Sequence, residues 1–214
     1  MVIEPWSGVT MLSSLFVEQG LSVFGCVEIV PILQELAKWL HQGALVDGDF
    51  YAQRWRQWKD LVPAGHRVDV LTGGFACVTL SSAGKQLAQK DPRSRQLWDT
   101  MEMAIFFEVR AVLLENVVQL VDDDGDHRLL SQADEVALEF GYSRVHVWRR
   151  KHSSCGGGSQ RLRVLPLWLH SSVVLKLEPI VDWQTEQAAA PVTEFLVPVG
   201  DVPHWCITPG VLVR

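Results

Sequence analysis

Three places in the chain put reactive side chains just past apolar runs, where a folded backbone would present them. Cys77 stands in Thr72-Gly73-Gly74-Phe75-Ala76-Cys77-Val78-Thr79-Leu80-Ser81-Ser82-Ala83-Gly84-Lys85-Gln86, directly after Val68-Asp69-Val70-Leu71. A thiol in such a loop has the exposure and freedom of a nucleophile, although a lone cysteine also serves as a small core hydrophobe. Glu115 follows the continuous apolar run Ala111-Val112-Leu113-Leu114. A carboxylate at the end of a buried strand is costly unless it is solvated or bound, and its plainer reading is a helix-capping carboxylate in a loop. Arg161 and Arg163 follow Gly156-Gly157-Gly158, and at spacing two they share one face of a strand. They suit an anion, or plain surface charge. A phosphate-binding P-loop is excluded at Gly84-Lys85, because Gln86 replaces the required Ser or Thr and Thr79 replaces the first Gly.

The elements that must carry these groups alternate. Residues 10–19 set Leu12, Leu15 and Phe16 on one helical face and stop at Gly20. A strand over 23–29 follows, then a helix opened by Pro31 with Leu33, Ala37 and Leu40 at helical spacing up to Gly43. A strand at 68–71, a helix over 95–108, the strand 111–114 and a helix over 127–140 with Phe140 inward continue the series. Strands near 143–149 and 163–169 complete it, with Pro166 placing the last towards an edge. Trp55 and Trp58, at helical spacing, read as core, and Asp122-Asp123-Asp124-Gly125 as a solvated loop. This alternation predicts an α/β fold with a mostly parallel sheet and helices on both faces, whose ligands bind at the carboxyl ends of the strands. After residue 171 the pattern changes to Pro-punctuated apolar segments without helical period, which sets a boundary there.

Composition narrows the class. The chain has 214 residues, 48% of them apolar and 21% charged, enough to bury a real core. A formal charge of −6 gives no global basic field, yet Phe140 to Leu177 contains no acidic residue. That stretch carries Arg144, Arg149, Arg150, Lys151, Arg161 and Arg163, with His146, Trp148 and His152 interleaved, and is read equally as a phosphate track or a solvated basic edge. The four cysteines, Cys26, Cys77, Cys155 and Cys206, are too dispersed for a zinc ribbon, a CxxC redox motif or a disulfide scaffold. The N-terminus lacks a basic start followed by an apolar run, and no stretch reaches the ~20 apolar residues of a membrane span. An intracellular protein is expected, nuclear in a eukaryote and cytoplasmic otherwise, with no membrane partner.

Together the three sites resemble the cytosine-5 DNA methyltransferases. Gly73 to Gln86 resembles that family's GGxPCQxxSxAGKQ motif, and Glu115-Asn116-Val117 matches its ENV motif. Asp91-Pro92-Arg93 followed by Leu97 resembles the motif between them, and Gln160-Arg161-Leu162-Arg163 resembles QxRxR with one residue deleted. Glu4-Pro5-Trp6-Ser7-Gly8-Val9-Thr10 lies where the family has DLFxGxG. Glu28, in Val27-Glu28-Ile29, resembles the acid ending the second strand, and Asp49 the acid after the third.

The resemblance covers about residues 4–170 and implies a Rossmann-like, S-adenosylmethionine-dependent methyltransferase acting on cytosine in DNA. Cys77 would add to ring carbon 6 of a flipped cytosine, Glu115 would stabilise the protonated ring nitrogen 3, and Arg161 and Arg163 would hold the nucleotide and favour the thiolate. Trp6, Gly8, Glu28, Ile29, Asp49 and Leu97 would bind the cofactor, Glu28 through the ribose hydroxyls and Leu97 against the adenine. Residues 1–170 then form the catalytic domain, and 171–214 an extension that is at most a remnant of a target recognition region. Recognition is accordingly expected from a second polypeptide. RNA as substrate, or a non-catalytic relative that binds nucleic acid or a partner, are the alternative readings. The sequence departs from the family at Ala76 and Val78, which flank Cys77 in place of Pro and Gln, and at Thr10 and Met11 in place of two glycines.

Overall fold

The computed structural model describes residues 1–76, 95–121, 129–151 and 161–173. The expectations for Cys77, Asp91 to Arg93, Asp122 to Gly125, Gln160 and the segment from 174 onward lie outside these residues.

Among the described residues eight strands form a single sheet: β1 (Val2–Pro5), β2 (Val23–Val27), β3 (Leu45–Asp47), β4 (Val70–Gly73), β5 (Ala111–Leu114), β6 (Asn116–Val117), β7 (Tyr142–Lys151) and β8 (Leu162–His170). Four α-helices lie among the same residues: α1 (Met11–Glu18), α2 (Pro31–Leu40), α3 (Gln96–Phe107) and α4 (Leu129–Glu139). The pairs β1–β2, β1–β4, β2–β3 and β4–β5 are parallel, and β8 runs antiparallel to β5, β6 and β7. Strand order reverses between β1 and β4, so right-handed crossovers send α1 and α2 to one face and α3 to the other. The crevice at that reversal is where such sheets bind ligands.

The core is aromatic and its polar tips are satisfied. Trp55 and Trp168 have no exposed surface. Trp55 Nε1 donates to the Phe50 carbonyl at 2.9 Å, and Trp168 Nε1 to Asp134 Oδ1 of α4 at 2.8 Å. The Tyr142 hydroxyl donates to the Val109 carbonyl at 2.8 Å, and burial pushes its pKa up to about 12. Trp55 and Trp58 lie on a 3₁₀ segment, Arg54–Leu61, where side chains three apart eclipse, so both reach the core. Trp58 packs so closely over Gly25 of β2 that a Cβ there would fall 2.3 Å from its ring.

Three expectations are corrected. Pro166 does not mark an edge: β8 is an inner strand and β7 lies outside it. Leu165 and Pro166 face the gap between the Leu167–Leu169 stretch that pairs with β5 and the Arg163–Val164 stretch that pairs with β6. A residue without an N–H is tolerated at such an interruption. In α1 the buried residue is Ser13, while Leu15 is exposed, because a carboxylate inside the fold captures the start of this helix. Leu40, the last residue of α2, and Phe140, just past the end of α4, also stand in solvent.

Candidate active site

A cleft of about 590 Å³ opens at the carboxyl ends of β1 and β4. Its walls come from the loop after β1 (Trp6 to Val9), from the start of α1, from Gly74-Phe75-Ala76 after β4, and from Glu115, Arg161 and Arg163. The β1 loop is held in unusual backbone geometry, with Trp6, Gly8 and Thr10 all at left-handed φ near 52–56°. Gly8 adopts this freely; Thr10, in place of the family's glycine, does so against its β-branched side chain. The loop is fixed by Ser7 N–H donating to the Val27 carbonyl at 3.1 Å and by Thr10 N–H donating to the Ser7 carbonyl at 2.7 Å.

Glu28 sits at the end of β2 and reaches this loop. Its Oε2 accepts from Gly8 N–H at 2.7 Å and its Oε1 from Val30 N–H at 2.8 Å. Trp6 stacks on Phe50 at 4.7 Å between centroids, and its Nε1 donates to Thr100 Oγ1 at 2.9 Å. Asp49 is exposed and its carboxylate accepts from Tyr51 N–H at 2.9 Å, which fixes the turn that carries Phe50. Ile29 is exposed beside Glu28. Leu97 is different: it has no exposed surface and belongs to the core of α3, so the structure does not bring it to the cleft.

The opposite wall is built by an interrupted strand. β5 stops at Leu114, β6 begins at Asn116, and Glu115 between them turns into the cleft with its N–H on the Gly73 carbonyl at 2.9 Å. The antiparallel pairing Val117↔Arg163 sets Arg163 beside it, and Arg163 Nε contacts Glu115 Oε1 at 2.6 Å. The second oxygen, Oε2, lies against Gly74, where a Cβ would approach it to 3.1 Å. Asn116 is buried; its Nδ2 donates to the Phe75 carbonyl at 3.1 Å and its Oδ1 accepts from Val117 N–H at 2.8 Å. Gln96 Oε1 accepts from Ala76 N–H at 2.8 Å. The backbone leading to Cys77 is thus tied down on both sides, and Ala76 lines the cleft. Arg161 is exposed at its mouth.

Sequence reasoning missed a buried polar cluster under the β1 loop. Glu4, 2% exposed, accepts from Ser13 N–H at 3.1 Å, and Ser13 Oγ lies 3.4 Å from His41 Nε2. Burial pushes the Glu4 carboxyl up to about 7, more than the hydrogen bonds from Ser13 and Leu12 pull it down. Burial also pushes the neighbouring Cys26 thiol up, Glu4 adding to the effect, and moves His41 down. The one sequence signal is an acid set among apolar residues in Val2-Ile3-Glu4-Pro5. Because folding raises the Glu4 pKa, this carboxyl favours the folded state most below pH ~4.5, and that contribution is lost as pH rises towards ~7. Glu4→Gln is therefore expected to flatten stability over pH 4.5–7 and to stabilise the protein at pH 8 by about 1–3 kcal/mol. Urea titrations of both proteins across that range check it; parallel pH profiles would show that the carboxyl is not strained.

Among the described residues no group of His, Cys, Asp and Glu is arranged to hold a metal ion, and no helix is long and apolar enough to cross a membrane.

Comparison with known proteins agrees with this geometry. Residues 2–197 match the family model for C-5 cytosine-specific DNA methylases. The Type II methyltransferase M.PspPI of Psychrobacter sp. (strain TA137) is 36% identical over 83 residues, which is 39% of this chain and 20% of that protein. M.Sau96I of Staphylococcus aureus is 28% identical over 148 residues, 66% of this chain and 32% of the relative. The chain therefore spans between a fifth and a third of the curated relatives it matches. Among solved structures, the Entamoeba histolytica methyltransferase EhMeth superposes with TM-score 0.65 at 12% identity, over 92% of this chain and 59% of that one. Spodoptera frugiperda DNMT2 gives 0.60 at 18%, over 85% and 53%. At these identities the superpositions establish the Rossmann-like methyltransferase fold. With a family match that runs through most of its length, the chain belongs to the C-5 cytosine-specific DNA methylase family.

Proposed function

We propose that the chain carries out cytosine-5 methylation of DNA with S-adenosylmethionine. The observation that carries this reading is one cleft shared by the β1 loop and the Glu115–Arg163 pair, with Ala76, the neighbour of Cys77, in its wall. The lining suits the cofactor: Trp6, Val9, Met11, Leu12 and Phe75 offer apolar contact, and the buried Ser7 hydroxyl has no hydrogen-bond partner among the described residues. Glu28 still has acceptor capacity for ribose hydroxyls beside its two backbone bonds, since each carboxylate oxygen takes more than one donor. When bound, S-adenosylmethionine supplies an electrophilic sulfonium methyl group.

The chain's own residues do the rest. The Cys77 thiolate adds to carbon 6 of a flipped cytosine, forming a C–S bond and moving the ring's electron density to carbon 5. Glu115 holds the proton at ring nitrogen 3, with its free oxygen turned towards Gly74 and its other oxygen fixed by Arg163. Arg161 and Arg163 add positive charge that favours a thiolate over a thiol. Once carbon 5 carries the methyl group, water takes the carbon 5 proton, its electron pair restores the ring's 5,6 double bond, and the C–S bond breaks to release the Cys77 thiolate.

Transfer of labelled methyl from S-adenosylmethionine tests the reading, with duplex DNA and tRNA offered separately and the chain assayed alone and with added cell extract. Label in 5-methylcytosine of the DNA is expected. Label in tRNA alone would move the substrate to RNA, a requirement for extract would point to a second polypeptide, and no transfer to either nucleic acid would contradict the proposal.

A further inference from the structure

We propose that Glu4, in the wall of the cleft, distinguishes the methyl donor from its spent form, its carboxylate favouring the sulfonium of S-adenosylmethionine over the uncharged thioether of S-adenosylhomocysteine. This selectivity rests on the proposed function for the identity of the cofactor, and on the structure for the place of the charge. Methyl transfer removes one positive charge from sulfur and leaves the adenosine, amino and carboxylate groups as they were. A sulfonium has no N–H or O–H to donate, so hydrogen-bond geometry does not single it out. A fixed negative charge shielded from water does, because its field is weakly screened.

Among the described residues two carboxylates line the cleft, Glu4 and Glu115. Glu115 is committed to Arg163, and Arg161 stands on that same wall. Glu4 is buried on the other wall, where its Oε2 accepts from Ser13 N–H at 3.1 Å and no cation among the described residues is paired with it. Burial outweighs its hydrogen bonds and pushes the carboxyl up to about 7, so near neutral pH it is divided between charged and uncharged forms. A cation entering the cleft draws it to the charged form and a proton leaves to water. A neutral thioether does not, and after methyl transfer the proton returns.

The described elements packed around Glu4 bring no competing charge at neutral pH. From β2, Cys26 is its partner in register, and burial keeps that thiol protonated. From β4, Val70 and Leu71 pair with the two preceding residues, Val2 and Ile3. From α1 comes Ser13, whose hydroxyl donates to the Thr10 carbonyl at 3.2 Å and lies 3.4 Å from His41 Nε2, just past α2. Burial moves His41 down and so holds its ring neutral. Glu28, at the end of β2, is held by Gly8 N–H and Val30 N–H. The charge on Glu4 is therefore set by what enters the cleft.

Calorimetric titration of the full chain with S-adenosylmethionine and with S-adenosylhomocysteine, over a series of pH values from about 5.5 to 7.5, tests this. Wild-type affinity for the donor is expected to rise roughly five- to twentyfold across that interval, and affinity for the thioether to stay level. Near pH ~7, titrations in two buffers of different ionisation enthalpy are expected to show release of about half a proton per donor bound and none for the thioether. Glu4→Gln keeps an acceptor for Ser13 N–H and is expected to lose both the pH dependence and the proton release, with thioether affinity unchanged. A cooperative melt shows that this variant is folded, and the two-buffer comparison tests the wild type without it. Equal pH profiles for the two ligands would overturn the inference and set Glu4 against the amino group they share. A donor preference independent of pH would also overturn it and assign the discrimination to the Trp6 ring. Failure of the wild type to bind either ligand at millimolar concentration would instead fail the proposed function, and the inference with it.

Discussion

Glu115→Gln is expected to lower methyl transfer roughly 10²–10⁴-fold, the range for loss of a positioned proton-handling group, while S-adenosylmethionine binding stays as in the wild type. The amide keeps the size of the carboxyl, so it preserves the fit against Gly74, where there is no room for a side chain. What it loses is the charge that pairs with Arg163 and the ability to hold a proton at the cytosine ring. Glu28→Ala should do the reverse. It removes the acceptor for Gly8 N–H and Val30 N–H, together with the ribose contact proposed above. Charge-assisted hydrogen bonds of ~1.5–3 kcal/mol correspond to roughly ten- to a hundredfold weaker cofactor binding. Calorimetry with S-adenosylmethionine and single-turnover transfer separate the two effects. If Glu115→Gln weakens cofactor binding and Glu28→Ala does not, the two walls of the cleft have been assigned the wrong way round.

The architecture was legible because it depends on signals that recur along the chain. Apolar strands alternate with helices that open at Pro31 or close at Gly20 and Gly141, and each local pattern agrees with the sheet that results. Glu115 and Arg163 could each be singled out from the sequence, but their contact could not. It depends on the interruption between β5 and β6 and on the register of β8, neither of which has a local signature. The inner position of Pro166 has no local signature either, since its tolerance comes from a gap in a neighbouring strand. Leu97 was placed on the adenine by motif alone, whereas the helical face it occupies turns inward. The support under Trp6 also lay out of reach, because Thr100 is 94 residues away and Phe50 arrives on a turn fixed by Asp49. Glu4 and Ser13 were hidden by their types: a lone acid in a strand and a serine in a helix predict solvent, and the fold buries both on each other.

Cys77→Ser is expected to abolish covalent attachment to cytosine and to lower transfer by roughly 10³-fold or more, because the hydroxyl is a far weaker nucleophile at neutral pH. Among the four cysteines, Cys77 alone directly follows in sequence the Phe75–Ala76 backbone anchored by Asn116 and Gln96. Cys26 is buried, with its thiol pushed up and thereby held protonated, so it cannot substitute. The most direct measurement is mass spectrometry of the protein after incubation with S-adenosylmethionine and duplex DNA containing 5-fluorocytosine, whose fluorine blocks the elimination that would release the enzyme. The account predicts one adduct, mapped to the peptide holding Cys77, present in Cys26→Ser, Cys155→Ser and Cys206→Ser and absent in Cys77→Ser. An adduct that persists in Cys77→Ser, or methyl transfer by that variant at the wild-type rate, would contradict it.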